Sequence, residues 1–185
     1  MQLTEENTVI KQTKQWLNDI IIELNFCPFA KKELVNNTIH YFVTTECQID
    51  KALDLVIKQV EFLANNPSIE TALVIFNQAF DDFEQYLDLL DFANQLLIDC
   101  GYEGQFQIAS FHPEYCFEGE EPNDAANFTN RSPYPMLHLL REESLEKVLS
   151  LYPSPEEIPE NNIALARNKG SEFFINTLKT IHQLK

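Results

Sequence analysis

Thr71-Ala72-Leu73-Val74-Ile75-Phe76 is the stretch that decides the fold. Its unbroken apolar run from Ala72 to Phe76 suits a strand buried on both faces, as in a parallel sheet covered on two sides. A helix over about Asp50 to Asn65 precedes it, with Leu53, Val56, Ile57, Val60 and Leu63 on one stripe. Before that helix, Ile39 to Thr44 reads as a short strand. On the other side a helix over about Phe83 to Cys100 carries Phe83, Leu87, Leu90, Ala93 and Leu97, and Gly101 ends it. Phe106 to Phe111 reads as a third strand, less uniformly apolar and so nearer an edge.

Strand, helix, strand, helix, strand predicts an α/β fold: a small central sheet of about three mainly parallel strands, in the order 1-2-3, with right-handed crossovers. That order puts both crossover helices on one face. The other face is left to an N-terminal amphipathic helix over about Glu5 to Asn25, capped by Thr4, with Val9, Thr13, Trp16, Ile20 and Leu24 on one side. Further helices are expected at about Tyr134 to Leu149, Ile158 to Asn168 and Ser171 to Leu184, with Pro135 in the opening turn of the first. Tyr115 to Glu118 is a candidate for a short added antiparallel strand.

The whole chain, 1–185, suits one domain, since 185 residues with 44% apolar content can bury one sizeable core. No charged-then-apolar leader opens it, and no apolar run approaches the roughly 20 residues that span a bilayer. Cys27, Cys47, Cys100 and Cys116 are widely spaced with no CxxC pair, which predicts a reduced, cytoplasmic protein. The net charge of −16, from 29 acids and 13 bases, makes nucleic acid and anionic membrane poor partners. No Lys or Arg lies between Gln59 and Asn130, and Arg131 and Arg141 follow directly after that acidic stretch.

Ligands of an open parallel sheet gather outside the carboxyl ends of its strands, here Thr44 to Glu46, Asn77-Gln78 and His112-Pro113. The long irregular segment His112 to Pro133 is expected to fold as a lid over those ends, because Tyr115, Phe117 and Phe128 within it, and Phe111 and Tyr134 beside it, supply apolar anchors. Asn130-Arg131-Ser132 leads into the expected helix at Tyr134, whose opening amides favour an anion that Arg131 would grip with a bidentate fork. His138 and Arg141, three apart on that helix, would share a face. The catalytic candidates are therefore His112, His138 and Cys27, and the substrate-binding candidates are Arg131, Arg141, Asn130, Ser132 and Asn77. The same arginines also suit simple neutralisation of the acidic stretch, and the same histidines suit ordinary hydrogen bonding.

Cys27 precedes Pro28, and a short helix from Pro28 through Leu34 would place its sulfur at a helix N-terminus, where thiolate is favoured. It equally suits a small buried hydrophobe. A mixed site of His112, His138 and Glu114, Glu118 or Asp124 has no regular metal-ligand spacing behind it, so no metal is assigned. No GxGxxG, GxxxxGKS/T or GxSxG motif occurs, and no cofactor follows from the residues.

Three stretches carry a resemblance: Asn25-Phe26-Cys27-Pro28-Phe29-Ala30, Ala109-Ser110-Phe111-His112-Pro113-Glu114-Tyr115, and Asn130 through Glu142. Together they resemble the bacterial proteins grouped as domain of unknown function, family 1415. The resemblance implies a cytosolic bacterial protein and brings no catalytic residue across. On the residues alone, the expected function is a small-molecule enzyme, a hydrolase or group-transfer enzyme acting on an anionic metabolite at a His/Arg site. The alternatives are a non-catalytic binding or adaptor protein and a redox sensor built on Cys27.

Overall fold

Thr71–Phe76 is a strand whose six residues are all buried, as its apolar run requires. In the computed structural model, which describes residues 3–151 and 154–185, the elements follow in chain order. They are α1 (Leu3–Trp16), continued by a π-helical segment (Leu17–Ile22), α2 (Ala30–Asn36), β1 (Ile39–Thr44), α3 (Ile49–Asn65), β2 (Thr71–Phe76) and α4 (Phe83–Asp99). Then come β3 (Phe106–Phe111), β4 (Met136–Arg141), α5 (Glu142–Leu149), α6 (Ile158–Lys169) and α7 (Ser171–His182), with 3-10 turns at Ala125–Thr129 and Pro155–Glu157.

The α/β class stands, but the sheet differs from the expected one. It has four strands in the order β1-β2-β4-β3, with β1 and β2 parallel and β4 antiparallel to both β2 and β3. Met136-Leu137-His138-Leu139-Leu140-Arg141, expected as helix, is the strand that separates β2 from β3. An apolar run this short has no periodicity that tells a doubly buried strand from a helix turn. Leu137 and Leu139 pack on one side of the sheet and Met136 on the other. Pro135 stands where the ladder begins: its carbonyl accepts the Phe76 N–H at 2.9 Å, and its missing N–H breaks no ladder bond. Helix starts only at Glu142, where Glu142 and Glu143 face the positive end of the dipole. Tyr115 to Glu118 forms no strand.

The two faces of the sheet carry separate cores. Val56, Val60 and Leu63 of α3 and Tyr86, Leu89 and Ala93 of α4 pack on Ala72, Val74 and Phe76. Val9, Trp16 and Ile20, with Ala166 of α6 and Phe174 and Ile181 of α7, pack on Leu73, Ile75 and Met136. Residue alternation along β2 thus feeds both cores from one strand. The N-terminal helix does not run unbroken to Asn25: the Glu23 amide reaches back to the Asn18 carbonyl and Phe26 to Ile21. This wider winding keeps Trp16, Leu17, Ile20 and Ile21 all buried. Short α5 has no buried residue, so the sheet beneath it is incompletely covered.

Candidate functional site

The segment after β3, expected as a lid over the carboxyl rim, packs its 3-10 turn against α6 and α7. Ala125 to Thr129 are all buried. Asn127 accepts the Phe117 N–H at 3.0 Å and donates to the Glu121 carbonyl at 2.9 Å, tying the loop to itself. Ordering of this segment was legible in its aromatic residues; its role as filler was not.

Each rim candidate is engaged in hydrogen bonds within the protein. His112 is fully buried between the rings of Phe83 and Tyr86. Its Nε2–H donates to the Phe80 carbonyl at 2.9 Å, and its Nδ1 accepts the Glu114 N–H at 3.0 Å. Both ring nitrogens are therefore used, in the neutral tautomer, and burial lowers the pKa. The bond to Phe80 holds a turn in which Gln78 and Phe80 take positive φ of 67° and 58°, a conformation that costs side-chain-bearing residues energy.

Arg131 donates from Nε to the Tyr115 carbonyl (3.0 Å) and from Nη2 to the Pro122 carbonyl (2.8 Å), stacked 4.6 Å over Phe128. Burial is the main influence on it and lowers its pKa. Asn130 donates to the Ser110 carbonyl, Ser132 to the Tyr134 carbonyl, and Asn77 to Glu5 Oε1. The expected anion grip is not assembled: the helix whose amides were to hold the anion is a strand, and the guanidinium serves loop carbonyls.

His138 and Arg141 do not share a face. Three positions apart on a strand means opposite sides. Arg141 stacks 5.4 Å over Phe106. It donates from Nη2 to the carbonyls of Leu63 (2.5 Å), Asn66 (3.2 Å) and Ile69 (3.0 Å), which caps the exit of α3. His138 turns to the other side, its ring 6.1 Å from that of Phe111, although His138 and Arg141 both border the pocket beneath α5. His112, nested against α4, is thus across the sheet from His138.

On the His138 side a pocket of about 470 Å³ opens beneath α5, toward the amino ends of β1 and β2. Trp16, Leu17 and Ile21, Leu73 and Leu140, and Phe111 make its apolar floor and back wall, and Leu145 and Val148 of α5 overhang it. Cys27 and Glu33 approach from the α2 side, and Glu70, Thr71 and His138 from the sheet. Its size is in the range of small-molecule sites, and its apolar lining with a few polar groups is their usual character. The π-helical segment supplies two wall residues, and such segments recur at functional sites. Each of the three stretches that carry the family resemblance contributes a wall: Cys27 from the first, Phe111 from the second, His138 from the third.

The electrostatics of the pocket follow from hydrogen bonding. The Thr71 hydroxyl donates its one proton to the Leu139 carbonyl at 2.6 Å, so at 2.7 Å from His138 Nε2 it accepts. His138 therefore carries its proton on Nε2, and Nδ1 keeps a lone pair with no hydrogen-bond partner among the described residues. Burial holds its pKa down at about 4, leaving the ring neutral through the physiological range.

Cys27 does lie beside a helix start, and the amides of Phe29 and Ala30 favour its thiolate, but burial outweighs them and pushes the thiol up. The activated sulfur expected from helix position is thus overridden by desolvation. Glu33 is tied to the Thr38 hydroxyl and pairs with Lys32 at 3.2 Å. Glu70 Oε1 is buried without a hydrogen-bond partner among the described residues. Glu33, Glu70 and Thr71 carried no motif; the one sequence signal was an acid directly before a doubly buried strand. Among the described residues no group of three or more His, Cys, Asp or Glu is arranged to hold a metal, and no helix is long and apolar enough to cross a membrane. A second hollow, of about 320 Å³, lies between Asn25, Pro28 and the start of α6, with Glu157 its one titratable residue.

Fold and site together define an α/β protein with a mixed four-stranded sheet and a small-molecule-sized apolar pocket on one face. Residues 8–176 match the model of a family described as "Protein of unknown function (DUF1415)", and the chain belongs to this family. No curated protein and no solved structure matches the chain.

Proposed function

We propose that this protein is a small-molecule enzyme whose substrate sits in the pocket beneath α5. The proposal moves the site from the His112/Arg131 rim to the His138 face. The observation that carries it is a neutral imidazole fixed by Thr71, with its second nitrogen spare, in the wall of an otherwise apolar pocket. An acceptor of that kind orients a substrate O–H or N–H while staying neutral itself. Cys27 shares the pocket, and as a thiol of raised pKa it serves as a contact or weak acid better than as a redox sensor. Four free cysteines suit a reducing, cytoplasmic setting.

The test uses N-phenyl-1-naphthylamine, an uncharged probe that brightens in apolar surroundings. Trp16, the one tryptophan, lies in the wall and transfers excitation to it. We expect saturable one-to-one binding, weakened about tenfold or more by Leu145→Trp, which fills the space from the overhanging helix. Absence of saturable binding, or binding indifferent to Leu145→Trp with the fold intact by circular dichroism, would overturn the reading.

A further inference from the structure

From the polar groups left over in this pocket we infer that its ligand is an amine: an apolar body ending in a protonated nitrogen, held by the Glu70 carboxylate and His138 Nδ1. The inference rests on the reading of the pocket as a binding site and goes beyond it by naming the class of molecule. The cations nearby are paired, spent or exposed, which leaves the Ser144 hydroxyl and the Cys27 thiol as neutral donors in the lining. The Arg141 guanidinium is spent on the three carbonyls at the exit of α3. Lys32 is paired with Glu33. The Thr71 hydroxyl proton goes to Leu139. Lys147 is exposed at the mouth.

The acceptors are not so engaged. Glu70 Oε1 is buried and orphaned, and His138 Nδ1 has no partner among the described residues. Glu70 is among the residues that line the pocket, and its main chain is anchored there, the amide donating to the Thr38 carbonyl at 2.9 Å. Buried polar atoms are rarely left unsatisfied in folded proteins, and of the two such side-chain atoms among the described residues, Tyr41 Oη and Glu70 Oε1, the second belongs to a residue that lines the pocket. A ligand N–H supplies the missing donor, and an ammonium supplies charge compensation as well. A carboxylate or phosphate ligand would bring a third set of acceptors to an acceptor-rich wall, at an electrostatic cost. This reverses the anionic substrate expected from the arginines.

The test is displacement of N-phenyl-1-naphthylamine by n-octylamine, n-octanol and octanoate, on the wild type and on Glu70→Gln. Octylamine should displace the probe about ten- to a hundredfold more tightly than octanoate, with octanol between them. Glu70→Gln, nearly isosteric, should remove most of the amine's advantage, read as the ratio of octylamine to octanol affinity within each variant. Octanoate equal to or better than octylamine overturns the assignment, as does an amine preference that survives Glu70→Gln. In both cases the probe still binds, so the pocket reading stands; loss of probe binding by the wild type defeats that reading itself.

Discussion

His138 shows how one side chain acquires a different meaning when its neighbours change. On a helix it would have been an exposed partner of Arg141; on β4 it faces Phe111 and is hydrogen-bonded to Thr71. Its pKa falls from the ordinary 6.5 to about 4 in the fold. Below pH 6.5 the unfolded chain takes up a proton that the native ring refuses, so the stability His138 confers is complete above that pH and drains away as pH falls toward 4. The loss is at most about 3 kcal/mol. His138→Phe should flatten denaturant-measured stability between pH 6.5 and 4.5 relative to wild type; identical slopes would show that the ring is not held neutral by burial. His40, His112 and His182 are lowered by burial in the same sense, so the wild type is expected to lose stability well before its carboxylates titrate.

Between elements, a single guanidinium ties the C-terminal end of α3 to the sheet. Arg141 ends β4, and its four hydrogen bonds to main-chain oxygens gather the last turn of α3 and the loop into β2. Cations at helix C-termini are favoured by the dipole, and hydrogen bonds to a charged donor are the stronger kind. Arg141→Met, which keeps an unbranched apolar stem and removes the guanidinium stacked over Phe106, should cost about 2–4 kcal/mol by chemical denaturation, and Arg141→Lys should recover part of it. A loss under about 0.5 kcal/mol, the usual size for an uninvolved surface position, would mean that the cap is dispensable. The same element pair explains why β4 escaped detection. Its apolar residues are contiguous, Pro135 precedes it as it precedes many helices, and α5 follows at Glu142 with no intervening turn. By contrast Ile39–Thr44, Thr71–Phe76 and Phe106–Phe111 were legible to the residue, because the helices between them carry clear stripes that bound each strand.

Taken whole, the molecule carries a charge of −16 and only three ion pairs among the described residues, two of them made by Arg167 with Glu120 and Asp124. Self-repulsion therefore outweighs the attractive pairs that salt could screen. Raising sodium chloride from about 0.05 M to 0.5 M should stabilise the fold by about 1 kcal/mol, roughly 2–4 °C in Tm for a chain of this size. A fall in Tm would show that specific ion pairs dominate instead.

The sequence by itself determined the α/β class, the parallel pairing of β1 with β2, the division of helices between the two faces, and the ordering of the segment after β3, since each rests on local periodicity or apolar content. Only the tertiary structure decided that β4 enters the sheet, that His112 and Arg131 serve the loop while His138 serves the pocket, and that the open space lies under α5. These depend on which groups meet across long sequence separations. A residue's type specifies what it can bond to, but its partner, and so whether any capacity is left for a ligand, is settled by packing.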